Sequence, residues 1–272
     1  MTPATFVPLW GSLGLRRRRW SVAAWLAVPL GILFLAVSIK LPLALHSSGV
    51  LDRVPVARTS SGVNDLAGAP DPVTEPAASA SFVSQRLDAY WRSAFAAMGR
   101  AYVSPGLRLF DEGISIPCFP LMAFEDGAPF YCFLDDTIYL PVPYVSDLAR
   151  ATGAEGPMMV GYVLAHEYAH HLQHLTGLGA TVEQQRAPQG APMRRASVHY
   201  ELQADCLAGV WVSSVSPPGA LDRSTMGRAE DTTALIRDPR GTSSNGHGSL
   251  VQRQSAFWSG YTSGRASRCE SW

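Results

Sequence analysis

Residues 158–177 read Met-Met-Val-Gly-Tyr-Val-Leu-Ala-His-Glu-Tyr-Ala-His-His-Leu-Gln-His-Leu-Thr-Gly, and this stretch decides how the rest of the chain is interpreted. It contains no proline, its first half is apolar, and Gly177 offers a C-terminal stop, so the pattern predicts a helix. His166 and His170 lie four residues apart, about one helical turn, and can therefore reach the same metal ion. Glu167 follows the first histidine and can serve as a general base for metal-activated water.

Two further histidines, His171 and His174, lie on the same predicted helix. His174 is eight residues beyond His166, about 12 Å along the helix axis, and cannot share a tetrahedral ion with both of the other histidines. We therefore predict that His171 and His174 face solvent or support the ligands without binding the metal.

A third metal ligand must come from elsewhere, and residues 196–211 form a second helix-like run with an apolar side. Glu201 and Asp205 lie four residues apart on one face of it. Burial of a carboxylate is costly unless the group is paired or binds metal. We predict that Glu201 completes a His₂Glu set for Zn²⁺ and that Asp205 accepts the free ring N–H of a ligand histidine. The alternative is a pair of exposed helix carboxylates.

These two segments resemble the bacterial neutral zinc metallopeptidases, a membrane-anchored and gluzincin-like family. The resemblance covers about residues 81–272 and rests on residues 164–173 and 201–211, with weaker matches at 130–140 and 247–253. It implies zinc ligation by His166, His170 and Glu201 with Glu167 as the catalytic base, which agrees with the spacing. Ala169 and Gly246 depart from the family pattern, where glycine and threonine are usual.

The four cysteines permit three pairings, among which spacing alone does not choose. The resemblance implies that Cys118 pairs with Cys132 and Cys206 with Cys269. Disulfides fit an oxidising compartment, whereas free buried thiols would be expected in a cytoplasmic domain.

The N-terminus predicts a membrane anchor. Arg16–Arg19 form a basic block, and about twenty uncharged, mostly apolar residues follow, enough to cross a bilayer core. The arginines place the N-terminus in the cytoplasm and the remainder of the chain outside. The alternatives are a cleaved signal peptide, although no small-x-small site directly follows Leu45, and a buried soluble helix, which the basic flank disfavours. The expected segments are a cytoplasmic N-terminus (1–19), a transmembrane signal-anchor (20–45), a flexible linker (46–80) and the metallopeptidase domain (81–272).

Within that domain the patterns predict an α+β fold, mainly α, with a small sheet beside the active-site helix. In gluzincin-like folds a strand beside that helix pairs with extended substrate, and residues 137–140 are the candidate here. The alternative is that these residues form a core hairpin without substrate contact. Residues 178–195 are predicted to be irregular and to lie at the rim of the cleft. Helices are expected at 84–98, 145–152, 197–213, 219–236 and 249–262, and strands at 107–110, 130–133 and 137–140.

The expected activity is that of a zinc-dependent endopeptidase acting on a peptide or protein substrate. A net charge of zero with 16% charged residues gives no indication of a nucleic-acid partner. The oxyanion donor remains open among His247, His199 and Tyr200, with Tyr168 a weaker candidate. The alternatives are a non-proteolytic zinc amidohydrolase and a catalytically silent, membrane-tethered zinc-binding scaffold. Zinc follows from the ligand types, and manganese or cobalt would occupy the same set.

Overall fold

Five helices and three short strands make up the described part of the chain. A computed structural model describes residues 54, 66–118, 127–153, 156–177, 191–216, 221, 223–224 and 247–270. The elements are α1 (Pro76–Ala97), β1 (Gly106–Phe110), β2 (Phe130–Cys132), β3 (Thr137–Pro141), α2 (Val142–Thr152), α3 (Gly156–Leu175), α4 (Ala191–Val215), α5 (Leu250–Ser263) and a 3₁₀ turn (Ala266–Cys269).

This element list confirms the mainly helical α+β prediction for the described residues. The predicted N-terminus (1–19), the transmembrane segment (20–45), most of the linker and nearly all of the helix at 219–236 lie outside them. None of the helices that the described ranges contain has both the length and the apolar character that a membrane span requires.

Helix α1 begins earlier than the sequence predicted. It starts at Pro76 rather than Ser84, so the last residues assigned to the linker are helical. Proline suits the first turn of a helix, because its fixed φ is already helical and its missing N–H needs no partner. Ser79 and Ala80 are fully buried, and Pro72 is also buried. Tertiary packing therefore extends into a segment whose composition suggested a tether.

The sheet overturns the predicted role of residues 137–140. Strand order is β1-β3-β2, with β3 parallel to β1 and antiparallel to β2. Because β3 is hydrogen-bonded on both sides, its backbone cannot also pair with a substrate. The two edge strands are β1 and β2, and β2 packs against α3. The predicted hairpin between β2 and β3 is confirmed.

Helix α4 also begins before its predicted start. It runs from Ala191, so residues 191–195 are helical rather than irregular, and residues 178–190 lie outside the described part. Its later half is almost fully buried and forms the centre of the core together with α3. The large side chains of this core are Trp91, Tyr162, Tyr168, Trp211 and Phe257.

Helices α4 and α5 cross at a pair of glycines. A Cβ on Gly209 would lie 2.1 Å from the carbonyl oxygen of Phe257, and a Cβ on Gly260 would lie 1.9 Å from that of Cys206. Both distances are far below van der Waals contact, so the backbones touch directly. The Cys206–Cys269 disulfide links α4 to the 3₁₀ turn that follows α5, and Cys118–Cys132 links the segment after β1 to the end of β2. Both pairings implied by the resemblance are confirmed.

We expect Gly209→Ala and Gly260→Ala each to lower the free energy of unfolding by about 2 to 3 kcal/mol, because neither backbone can retreat from the added methyl group. Chemical denaturation of the purified full-length protein, followed by tryptophan fluorescence, measures the change. Ser255→Ala introduces the same residue on the exposed side of α5 and should stay within about 0.5 kcal/mol of the parent. Glycine variants as stable as Ser255→Ala would show that the two helices do not cross this closely.

Candidate metal centre

Three potential metal donors converge between helices α3 and α4. One ligand atom each from His166, His170 and Glu201 lies within 4.8 Å of the other two. His166 Nε2 is 3.2 Å from His170 Nε2 and 3.1 Å from Glu201 Oε2. His170 Nε2 is 3.6 Å from the same carboxylate oxygen. This cluster, here called the donor cluster, brings together the three residues that the sequence analysis selected as ligands.

Helical geometry and ring packing orient the two histidines. Helix α3 is buried on nearly every side from Met159 to Gln173, so both histidines lie within the protein interior. The four-residue spacing places both imidazoles on one face. The ring of Tyr200 stacks on that of His170, with centroids 4.7 Å apart and planes 16° from parallel. Glu201, the next residue in α4, thereby reaches the cluster from the opposite helix.

Hydrogen bonds on the far side of each ring set the tautomers. His166 Nδ1 is 2.9 Å from Asp205 Oδ1, and His170 Nδ1 is 2.8 Å from Gln173 Oε1. The Gln173 amide nitrogen donates to the Tyr200 carbonyl and to Gln203 Oε1, so its oxygen faces His170. Both partners are acceptors, and each Nδ1 therefore carries the proton. In the neutral form of each ring, Nε2 keeps a lone pair that points into the donor cluster, which is what a metal-binding imidazole needs.

The carboxylate of Asp205 accepts hydrogen bonds from three side chains, of which His166 is one. Arg253 from α5 donates Nε–H to Oδ2 and an NH2 proton to Oδ1, both at 2.8 Å. The hydroxyl of Tyr162 donates to Oδ1 at 2.8 Å and accepts from Arg253 at 3.1 Å. Asp205 has no exposed surface, and Arg253 is 9% exposed. Such a bidentate, fully engaged pair satisfies a buried charge that would otherwise be very unfavourable.

The charges of the site favour a cation within it. Burial would raise the pKa of Asp205, but Arg253 and His166 outweigh that effect and hold it below its usual range. Burial would also raise the pKa of Glu201, but His170, His166 and His247 outweigh this effect and hold it well below its usual range. Burial would lower the pKa of His166, yet Asp205 and Glu201 together raise it to about 9. Both carboxylates are thus anionic at neutral pH, and a proton or a metal ion can balance Glu201.

The other residues selected from the sequence occupy distinct places. Glu167 is 2% exposed and follows His166 in α3. The prediction of solvent exposure or ligand support is wrong for His171, which is fully buried and lies 2.7 Å from the Val103 carbonyl and 3.1 Å from the Tyr131 hydroxyl. These two contacts connect α3 to β2 and to the segment before β1. The side chain of His174 is 42% exposed, 3.7 Å from Asp136.

Three residues of the site were given no role by the sequence analysis: Tyr162, Gln173 and Arg253. An arginine in α5 on the same face as Ala256, Phe257 and Gly260 was the available signal, because a charge on an apolar face requires a buried partner. Gln173 sits three residues after a candidate ligand, within reach on a helix. Spacing in the sequence does not show which hydrogen-bond partners Arg253 and Gln173 have.

Fold and site together define a mainly helical domain with a two-histidine, one-carboxylate donor cluster, a ligand set used by zinc hydrolases. A family model described as "Putative neutral zinc metallopeptidase" matches residues 45–272, and the chain belongs to this family. The uncharacterized protein YpfJ of Escherichia coli K12 is 34% identical over 206 residues, 72% of this chain and 71% of that protein. The uncharacterized protein Rv2575 of Mycobacterium tuberculosis H37Rv is 33% identical over 205 residues, 68% and 66% of the two chains. No solved structure matches.

We expect Arg253→Met to lower the free energy of unfolding by about 3 to 5 kcal/mol, because it leaves the carboxylate of Asp205 buried without its counterion. Thermal and denaturant unfolding of the full-length protein measure the loss. Arg268→Met is the matched control, since Arg268 is exposed in the 3₁₀ turn that follows α5. Equal stability of the two variants would contradict the role assigned to the Asp205–Arg253 pair.

Acid should destabilise the protein through Asp205. The folded-state pKa of this group lies below its ordinary value of 3.8, so its contribution is complete above that value and is lost as the pH falls further. We expect the free energy of unfolding to decrease steeply below about pH 4 in the parent and less steeply in Asp205→Asn. The slopes come from denaturant titrations at several pH values. Asp111→Asn, at an exposed position, should retain the parental slope, and a parental slope in Asp205→Asn would refute the assignment.

Proposed function

We propose that the protein is a zinc-dependent endopeptidase whose ligands are His166, His170 and Glu201 and whose general base is Glu167. The observation that carries this proposal is the donor cluster, in which two imidazole nitrogens and a carboxylate oxygen approach within 3.1 to 3.6 Å. Three acceptor atoms this close repel one another unless a cation or proton lies between them. Family membership supports the same activity at the level of the family.

Zinc bound here would supply Lewis acidity, which makes water nucleophilic near neutral pH and polarises a carbonyl group. Glu167 accepts the proton of the attacking water and passes it to the amine that leaves. Its burial strengthens its electrostatic interactions, because little solvent screens them. Asp205 and Gln173 keep the two imidazoles in the tautomer that presents Nε2 to the cluster.

Strand β2 is the element best placed to hold an extended peptide. It is an edge of the described sheet and packs against α3, so main-chain pairing there would lay a substrate alongside the metal helix. This proposal replaces the one made for residues 137–140. Pairing along a strand edge requires no free chain terminus, which favours an endopeptidase.

An extracytoplasmic location accompanies the proposed activity. The two disulfides Cys118–Cys132 and Cys206–Cys269 support it, because such bonds persist in oxidising compartments. The anchor proposed at residues 20–45 would leave the catalytic domain tethered to the outer side of the cell membrane.

Metal content and turnover test the proposal together. By mass spectrometry we expect about one zinc per chain in the parent, none in Glu201→Ala and a full complement in His174→Ala. Glu167→Gln should keep its zinc and lose on the order of 10²- to 10⁴-fold in cleavage of fluorescein-labelled casein, because only the proton-transfer group is removed. Glu112→Gln makes the same change at an exposed position and should leave both readouts unaltered.

The outcomes separate the three candidate functions. A folded parent protein without zinc would refute the metal site. Stoichiometric zinc without hydrolysis of casein would point to the scaffold alternative, and hydrolysis of small amides alone would point to an amidohydrolase.

A further inference from the structure

The structure distinguishes among the four side chains that sequence reasoning left as candidate oxyanion donors. The hydroxyl of Tyr168 is engaged with Ser84 of α1, 2.9 Å from its hydroxyl and 3.0 Å from its carbonyl oxygen. His199 is exposed on α4, and within the described residues no hydrogen bond or ion pair joins it to the donor cluster. Tyr200 lies face to face with His170 and packs against that ring. The fourth, His247, places Nε2 3.8 Å from Oε1 of Glu201.

His247 approaches the donor cluster from a third element of the fold. Nε2 faces the carboxylate oxygen Oε1, while the two α3 histidines face Oε2. At 3.8 Å this is a charge contact rather than a hydrogen bond, and a carboxylate neighbour favours an N–H on the nearby ring nitrogen. The side chain of His247 is 44% exposed, against 3% for His166 and 10% for His170. It therefore stands on the solvent side of the cluster, where a substrate would enter.

The backbone that carries His247 is held against α4 at several points. Gly248 has φ +83°, and a Cβ there would lie 3.2 Å from Leu202 and 3.3 Å from Val198, so the chain passes close to that helix. Ser249 then caps α5 in a reciprocal capping box with Gln252. Four residues after Ser249, Arg253 donates a hydrogen bond to Asp205. A side chain supported in this way can be preorganised for catalysis rather than recruited from a loose loop.

We propose that His247 is a catalytic residue that donates its Nε2–H to the substrate oxygen on which negative charge develops during peptide hydrolysis. The inference rests on the proposed function. It assigns His247 to substrate rather than to metal, because its partner in the cluster is the outer carboxylate oxygen Oε1 and its side chain is nearly half exposed. The proton stays on the imidazole, and the donor acts by hydrogen bonding alone.

Binding of a tetrahedral anion tests the role without requiring turnover. The full-length protein is loaded with Co²⁺ in place of Zn²⁺, and phenylphosphonate is titrated while the visible absorption of the cobalt is followed. We expect His247→Ala to bind phenylphosphonate at least tenfold more weakly, the scale of one hydrogen bond to a charged group. His247→Gln retains an N–H donor and should recover part of the loss. His199→Ala removes an exposed histidine of α4 and should behave as the parent protein does.

A second readout follows turnover. In the zinc-loaded protein, His247→Ala should reduce kcat on labelled casein by on the order of a hundredfold while zinc content stays at the parental level. Unchanged phosphonate affinity or unchanged kcat would overturn the inference. A cobalt spectrum already altered before phosphonate is added would make His247 a metal ligand and overturn it as well. Failure of the proposed function is recognised separately, because then the parent protein itself binds no metal or does not cleave casein.

Discussion

The structure depends on the burial of one carboxylate. Asp205 of α4 has no exposed surface, and the two neighbouring helices supply its hydrogen bonds: Tyr162 and His166 from α3 and Arg253 from α5. A carboxylate in this position tolerates little displacement of any of the three helices, because an unmet hydrogen bond to a buried charge is very unfavourable. The position of the donor cluster depends on this arrangement, because His166 is both a hydrogen-bond partner of Asp205 and a member of the cluster.

Close helix packing and polar specificity reinforce each other here. The glycine crossing of α4 and α5 fixes how near Arg253 can come, and the Cys206–Cys269 disulfide holds the end of the chain to the residue next to Asp205. Gln173 continues the network through Gln203 to the carbonyl of Cys269. The second imidazole is therefore also connected to this covalent link. Apolar packing supplies most of the stability, while the buried polar network selects a single arrangement.

The sequence was informative wherever a local period carried the meaning. Spacing of four residues on a helix identified both histidines and the two α4 carboxylates, and alternating strands with a turn identified the β2–β3 hairpin. Non-local relations were not predictable in this way. Which strand lies in the middle of the sheet depends on β1, whose sequence does not name its partner, and His171 was misjudged because its acceptors come from Val103 and Tyr131. Composition misplaced the start of α1, because small residues suit both a tether and a packed helix.

The long separation between Tyr162 and Arg253, 91 residues, has a consequence for biosynthesis. A ribosome completes α3 and α4, with all three residues of the donor cluster, well before it reaches α5. Until then Asp205 has no guanidinium partner and its burial is unfavourable, so the growing chain cannot settle into the mature centre. Formation of the donor cluster is thereby tied to the arrival of α5, the last helix of the described part of the chain.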